Sequence, residues 1–232
     1  LMNVKELDTP SLCVDIDVLD GNITNLQSAC NELNISLRVH TKTHKTPAIA
    51  QRQIAAGAIG IVSQKLGEAE AMAAAGIPDI LVPYNIVGAA KLARLVKLVA
   101  SQQTQLTLAA DSKAPVEGIS AAMAAAGLTV RMVVEMDTGS HRCGTQSPEE
   151  TIALAQVIDQ APGTQFVGVM TYPSSERARP FLDKVRQLAS AAGLDLQIIS
   201  GGGTGSQEIS KSLECTETRI GSYAWEGMTR VG

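Results

Sequence analysis

Aromatic side chains are scarce: one Trp, three Tyr and two Phe make up 3% of the 232 residues. The core therefore falls to Ala, Val, Ile and Leu, small and branched residues that suit helices packed on buried parallel strands. Positive charge is not concentrated anywhere. Lys and Arg never form a run of five and the net charge is −4, which speaks against a nucleic-acid or anionic-membrane surface. No stretch reaches the ~18–20 apolar residues that span a bilayer. The opening Leu1–Leu12, with Lys5, Glu6 and Asp8, lacks the apolar centre of a signal sequence. Cysteines are few and far apart: Cys13, Cys30, Cys143 and Cys215 fit neither a CxxC metal knuckle nor a disulfide framework. A reduced cytoplasmic protein is the simplest expectation, with Cys13 and Cys30 read as buried thiols.

What is present is alternation. Short runs rich in Val and Ile alternate with longer Ala/Leu-rich segments of helical period, the pattern of βα units in a parallel sheet. Strands are predicted at Leu12–Ile16, Leu37–Thr41, Gly60–Ser63, Asp79–Val82, Gln105–Ala109, Val130–Glu135, Phe166–Met170 and Leu196–Ser200, with a further short one near Thr218–Ile220. Helices are predicted at Pro47–Ala56, Gly67–Ala75, Ala89–Ala100, Ala121–Ala126, Glu149–Ile158 and Pro180–Ala192. Gly57, Gly76, Gly127 and Gly193 each close an Ala-Ala-Gly triplet, where a glycine ends a helix and turns the chain back. With no linker or low-complexity tract, residues 1–232 are expected to form one domain. Eight or nine strands fit a closed α/β barrel of the (β/α)8 TIM type, which occupies about 250 residues, better than an open doubly wound sheet.

In such a barrel chemistry gathers at the C-terminal ends of the strands. The most polar segment there is Arg38-Val39-His40-Thr41-Lys42-Thr43-His44-Lys45. Alternation places His40, Lys42 and His44 on one face. A lysine in a barrel mouth, near other cations and partly desolvated, becomes an amine nucleophile toward carbonyls; a solvated basic loop is the plain alternative. A metal site at His40 and His44 needs a third ligand that nothing else in the sequence supplies, so no metal ligands are assigned. A second segment, Ser200-Gly201-Gly202-Gly203-Thr204-Gly205-Ser206, follows an apolar strand. Glycines there let backbone N–H groups approach an anion, with Thr204 and Ser206 as further donors; a tight turn is the alternative. It has neither the Lys of a P-loop nor the early position of a dinucleotide fingerprint. In a third, Glu135–Gly144, a strand ends in acidic residues and turns through two glycines, projecting Arg142 toward the mouth as a fork of donors for a phenolate or carboxylate, or pairing it with Asp137. Tyr172 could pack on a planar ring or simply fill the core. Arg219 could face a ring nitrogen or pair with Glu217.

Together these segments resemble the alanine-racemase-type (fold type III) enzymes of pyridoxal 5′-phosphate (PLP), in their D-threonine aldolase / D-serine dehydratase branch. The opening Leu7-Asp8-Thr9-Pro10-Ser11-Leu12 with Val14-Asp15-Ile16-Asp17 and Asn22-Ile23 is similar to that branch's first strand and helix. Arg38–Lys45 resembles its Arg-Pro-His-x-Lys-x-His-Lys signature, whose first lysine carries PLP as a Schiff base; that selects Lys42 over Lys45. Asp137–Gly144 is similar to an Asp-x-Gly-x-x-Arg-x-Gly turn whose arginine, here Arg142, addresses the phenolic oxygen. Ser200–Ser206 resembles the phosphate loop, and Thr216–Tyr223 the segment leaving the barrel. The resemblance covers residues 7–223, and residues 224–232 read as the start of the exit segment. It implies catalytic roles for Lys42, Arg142 and Tyr172, and cofactor contacts from His40, Ser200, Gly202, Gly203, Thr204, Arg219 and Tyr223 as well.

The resemblance implies a PLP-dependent lyase, aldolase or dehydratase, acting on small D-β-hydroxy-amino acids such as D-threonine or D-serine, with a possible homodimer. Three departures stand out. Val39 replaces a proline. Tyr172 is followed by Pro173-Ser174-Ser175, where relatives carry a histidine and a longer excursion. The sequence ends at Gly232, where relatives continue into a β-rich C-terminal domain that supplies ligands for a divalent metal, manganese or zinc. Two other functions are therefore weighed: a non-catalytic PLP carrier, as in single-domain barrels, and an amino-acid racemase, which needs a second base on the opposite face.

Overall fold

Eight strands line up in chain order, each followed by a helix that returns the chain to the start of the next. In the computed structural model, which describes residues 3–226, they are β1 (Ser36–His40), β2 (Gly60–Val62), β3 (Asp79–Val82), β4 (Gln105–Ala110), β5 (Val130–Met136), β6 (Thr164–Thr171), β7 (Ile198–Gly202) and β8 (Glu217–Ile220). All neighbours are parallel and β8 pairs with β1 (Arg38 opposite Arg219), so the sheet closes into a barrel. The expected TIM-type barrel is present, and the open sheet is excluded by that pairing. The helices are α1 (Ile16–Glu32), α2 (Pro47–Ala55), α3 (Leu66–Ala74), α4 (Ala89–Ala100), α5 (Lys113–Ala125), α6 (Pro148–Gln160), α7 (Arg179–Ala191), α8 (Gln207–Ser212) and α9 (Tyr223–Glu226). Among the described residues no helix is long and apolar enough to cross a membrane.

Two expectations near the N-terminus are corrected. Leu12–Ile16 is not a strand: the barrel closes without it, and Asp15 accepts from the backbone N–H groups of Asp17 and Val18, starting α1 at Ile16. Cys13 in consequence lies exposed, whereas Cys30, on the inner face of α1, is fully buried. The helix predicted at Ala121–Ala126 starts earlier, at Lys113; Pro115 falls in its first turn, where a missing N–H costs nothing. The exit segment expected at residues 224–232 is helical as far as Glu226, and its remainder lies outside the described residues.

Alternation along the strands makes two cores. Outward-facing residues such as Val39, Ile80, Leu108 and Val134 join the helices' apolar faces in one large buried cluster. Inward-facing residues fill the lumen, and that filling is divided. Val62, Leu81, Ala109, Val133, Val167, Met170 and Ile198 form a separate apolar cluster on β2 to β7. The remaining sector, on β1, β7 and β8 with Asp79 of β3, is ionic. Arg38 donates to Glu217 at 2.9 Å and to Asp79 at 2.5 Å, and the Ser200 hydroxyl donates to Glu217 at 2.6 Å. Gly60, beside this group, has no room for a side chain, since a Cβ would meet the Arg38 guanidinium.

One strand breaks the regular count. Met132 of β5 sits opposite Phe166 of β6, but the next residue, Val133, sits opposite Gly168, so Val167 is an extra residue in a β-bulge. Gly168 has φ +145, and a Cβ there would run into the Ile198 carbonyl, so only glycine fits.

Candidate functional site

A cavity of about 560 Å³ opens at the C-terminal end of the barrel and takes its walls from every side of the mouth except β4. On one side stand His40, Lys42 and Thr43. β1 ends at His40, and residues Thr41–Thr43 form a 3-10 turn capped by the His40 ring, whose Nδ1 accepts from the Lys42 amide at 3.4 Å. The strict alternation expected to carry through His44 therefore stops. Lys42 and Thr43 both line the cavity, while His44 turns away: its Nδ1 accepts from the Thr46 amide at 3.0 Å and its ring meets Trp225 edge-on. Lys45 leaves the site and pairs with Glu68 at 3.3 Å.

The charge balance at the wall favours an uncharged amine. Partial burial, then the cations Arg142 and Arg219, hold the Lys42 ammonium below the ordinary lysine value. His40, buried beside Lys42 and Arg219, is pushed down to about 3. It is a neutral imidazole at physiological pH, a flat partner and not a proton store.

Arg142 arrives on a turn built for the purpose. The Asp137 carboxylate accepts from the N–H groups of Gly139, Ser140 and His141 at 2.9, 2.8 and 3.0 Å. Burial opposes the charge, yet these donors keep Asp137 below the usual carboxylate range. Gly144, at φ +114, closes the turn where a Cβ would collide with the backbone of Met136 and Asp137. The pairing of Arg142 with Asp137 is absent. Arg142 instead stacks over Tyr172, 4.7 Å from the ring centroid, with Glu135 at 3.7 Å. Glu135 is buried, and desolvation raises its carboxyl above the usual value against the pull of Cys143, Arg219 and Arg142.

Opposite lie the loops after β7 and β8. Gly203, at φ +132, and Gly221 line the cavity; a Cβ on Gly221 would approach the His40 carbonyl to 3.0 Å. Thr204 and Ser222 bring their hydroxyls together at 2.7 Å, joining the two loops. Gly201 and Gly202 do something else. They belong to β7, where side chains would strike Ser174, Ser210 and the Arg219 backbone, so their smallness serves packing beneath the loop. Ser200 and Gly202 thus lie behind the wall, not on it. Arg219 lines the cavity from β8, donating to the Ser200 carbonyl and hydroxyl and to the Thr171 carbonyl at 2.7, 2.6 and 2.7 Å; it does not bond Glu217 directly. Tyr223 departs from expectation: it is 1% exposed, and its hydroxyl accepts from Gln53 at 2.9 Å beneath α2, away from the cavity.

Gln64, Tyr84, Met170 and Ser222 also line the cavity. The signal for the first two was position alone, directly after β2 and near the end of β3. Among the described residues no three His, Cys, Asp or Glu side chains converge to hold a metal ion.

Comparison with known proteins agrees with this fold. The family described as alanine racemase, N-terminal domain, matches residues 14–227. The D-threonine aldolase of an Arthrobacter species is 37% identical over 237 residues, covering 96% of this chain and 62% of that protein. The 3-hydroxy-D-aspartate aldolase of Paracoccus denitrificans is 32% identical, covering 97% of this chain and 62% of that protein. The crystal structure of D-threonine aldolase from Filomicrobium marinum superposes with a TM-score of 0.89 at 31% identity, over 95% of this chain and 63% of that one. The chain thus spans a little over three-fifths of the length of the relatives it matches.

Proposed function

The chain belongs to the alanine racemase N-terminal-domain family, and from that premise we propose that it is the cofactor-binding barrel of a PLP-dependent lyase, aldolase or dehydratase, acting on small D-β-hydroxy-amino acids. The observation that carries the reading is the setting of Lys42: a lysine with a lowered pKa, facing Arg142 and Arg219 across one cavity.

The residues present fit the cofactor. Lys42 would hold its aldehyde carbon, Arg142 its phenolic oxygen, and Arg219 its ring nitrogen. The cradle of Gly203, Thr204, Gly221 and Ser222 would take the phosphate, with backbone close and two hydroxyls at hand. When bound, PLP withdraws electrons from the bonds at a substrate's Cα. The protein's part is to orient and to keep charges in place. The neutral His40 ring offers a flat, uncharged surface beside the cofactor. Tyr172, stacked under Arg142, fixes that guanidinium and lines the cavity with it. Glu135 balances Arg142 from below. The four cysteines are free, which supports placing the protein in the reducing cytoplasm.

The test is an absorbance spectrum of the purified protein with PLP, before and after borohydride, followed by peptide mapping. A visible band that borohydride bleaches, with the pyridoxyl group on Lys42, is expected; an adduct on Lys45 or scattered over surface lysines rejects the assignment. Turnover of D-threonine and 3-hydroxy-D-aspartate, with and without added manganese or zinc, then tests the lyase reading.

A further inference from the structure

We propose that Ser200 and Glu217 are positioning residues that hold the Arg219 guanidinium in the cavity wall beside Lys42, an inference that rests on Lys42 being the carbonyl-binding amine. Neither touches the cavity. Both are buried, at 0% and 2% exposure, and they link the mouth to an ion ladder crossing the lumen.

The direction of every bond in that ladder is fixed by chemistry. Arg38 has only donors, and its Nε gives to both Glu217 oxygens at 2.9 Å while Nη1 gives to Asp79. Asp79 also accepts from Gln105 at 3.1 Å. Glu217, charged between such partners, can only accept, so the 2.6 Å contact with Ser200 takes that residue's single hydroxyl proton. The Ser200 oxygen then turns lone pairs toward Arg219, which donates to it at 2.6 Å. Neutral or absent, Glu217 would free the proton to rotate toward the guanidinium and oppose it. With its Nη groups tied to Ser200 and Thr171, Arg219 has one orientation, and its remaining donors are left for the cavity. Lys42 meets three cationic or imidazole neighbours there: His40 at the end of the strand that leads into its turn, Arg142 on the turn after β5, and Arg219 on β8, with Glu135 as the nearby acid. Where Arg219 stands thus bears on how readily Lys42 sheds its proton.

The experiment measures the pH profile of Lys42 acetylation by acetic anhydride. It uses the whole chain stripped of cofactor with hydroxylamine, read by peptide mass spectrometry with exposed Lys113 as internal reference. Arg219→Gln is expected to move the Lys42 midpoint upward and to slow its labelling at neutral pH roughly three- to tenfold, the size of effect one nearby charge produces. Ser200→Ala keeps the backbone bond to Arg219 and both acid partners of Arg38, so the fold should survive, which circular dichroism checks. It is expected to shift the midpoint the same way by a smaller amount, and to add nothing in the Arg219→Gln background. A Ser200→Ala profile that overlies the unaltered protein's, or an equal shift in both backgrounds, overturns the proposal. PLP uptake by the unaltered protein is followed separately. Absence of a visible band with these shifts intact rejects the cofactor reading and leaves the positioning role, and a band without the shifts does the reverse.

Discussion

The two sectors of the barrel lumen are filled by opposite means. From β2 to β7 the filling is Val62, Leu81, Ala109, Val133 and Ile198, side chains that contribute by volume and by removal from water. From β7 round to β1 it is Ser200, Glu217, Arg219 and Arg38, which contribute only if each donor has its acceptor. The apolar sector needs the right amount of material. The ionic sector needs the right material in the right order, because a buried charge without its partner is costly. The cavity above takes Met170 from the apolar sector and the charged Arg219 from the ionic one. Stability is therefore shared between the sectors, whereas the charge that the lumen lends to the site comes from one.

Substitutions can break this contrast in graded ways. The largest effect is expected above both sectors: Lys42→Ala should abolish the borohydride-fixed adduct altogether while leaving the melting curve nearly unchanged, measured by spectroscopy and calorimetry. Next, Glu217→Gln should cost about 3–5 kcal/mol in denaturant unfolding, because Arg38 keeps its burial and loses its main counter-charge. The paired change Arg38→Met with Glu217→Leu sharpens the point: it should recover much of that stability and still bind PLP poorly. Leu81→Ala, in the apolar sector, should cost about 2–5 kcal/mol, with cofactor affinity altered less than by Glu217→Gln. If Leu81→Ala proves the more damaging to PLP binding, the division of labour is wrong.

The effect that is smallest at neutral pH, and that emerges only on acidification, comes from His40. His40 has its pKa lowered from 6.5 to about 3, so between those values the unfolded chain binds a proton that the native protein refuses. Stability should fall as pH drops from about 6.5 toward about 3 and should be indifferent to His40 above that window. His40→Asn should flatten this part of the profile in urea titrations run at stepped pH.

Local pattern carried much of this architecture. Ala89–Ala100 and Asp79–Val82 are helix and strand to the residue, since each has an unbroken period and clear punctuation. Leu12–Ile16 has a strand's composition without a strand's place: its apolar residues lie exposed, Leu12 at 98%, and Asp15 within it caps α1. The site was readable as three separated motifs whose meeting only a barrel explains. What lies beneath it was not readable. Arg38 and Glu217 are 179 residues apart, and Ser200 and Glu217 are 17 apart on neighbouring strands; no sequence period joins them. Gly201 and Gly202 looked like part of an anion cradle because a glycine forced by packing and one exposed to a ligand look alike until the neighbours are known. Tyr223 followed the motif while its ring went inward to Gln53.

The bulge in β6 has a consequence for how such a barrel can be altered. Before Val167 the strand keeps one in-and-out phase; after Gly168 it keeps the other, which is why Met170 and Tyr172 reach the cavity and Val169 packs toward the helices. The extra residue is thus a spare in the count. Deleting Val167 would cost one buried valine, but Phe166 and Gly168 would then follow as successive partners of Met132 and Val133, and Tyr172 would keep its aim. A strand with no residue to spare, such as β4, would turn every later side chain to the opposite face on losing one.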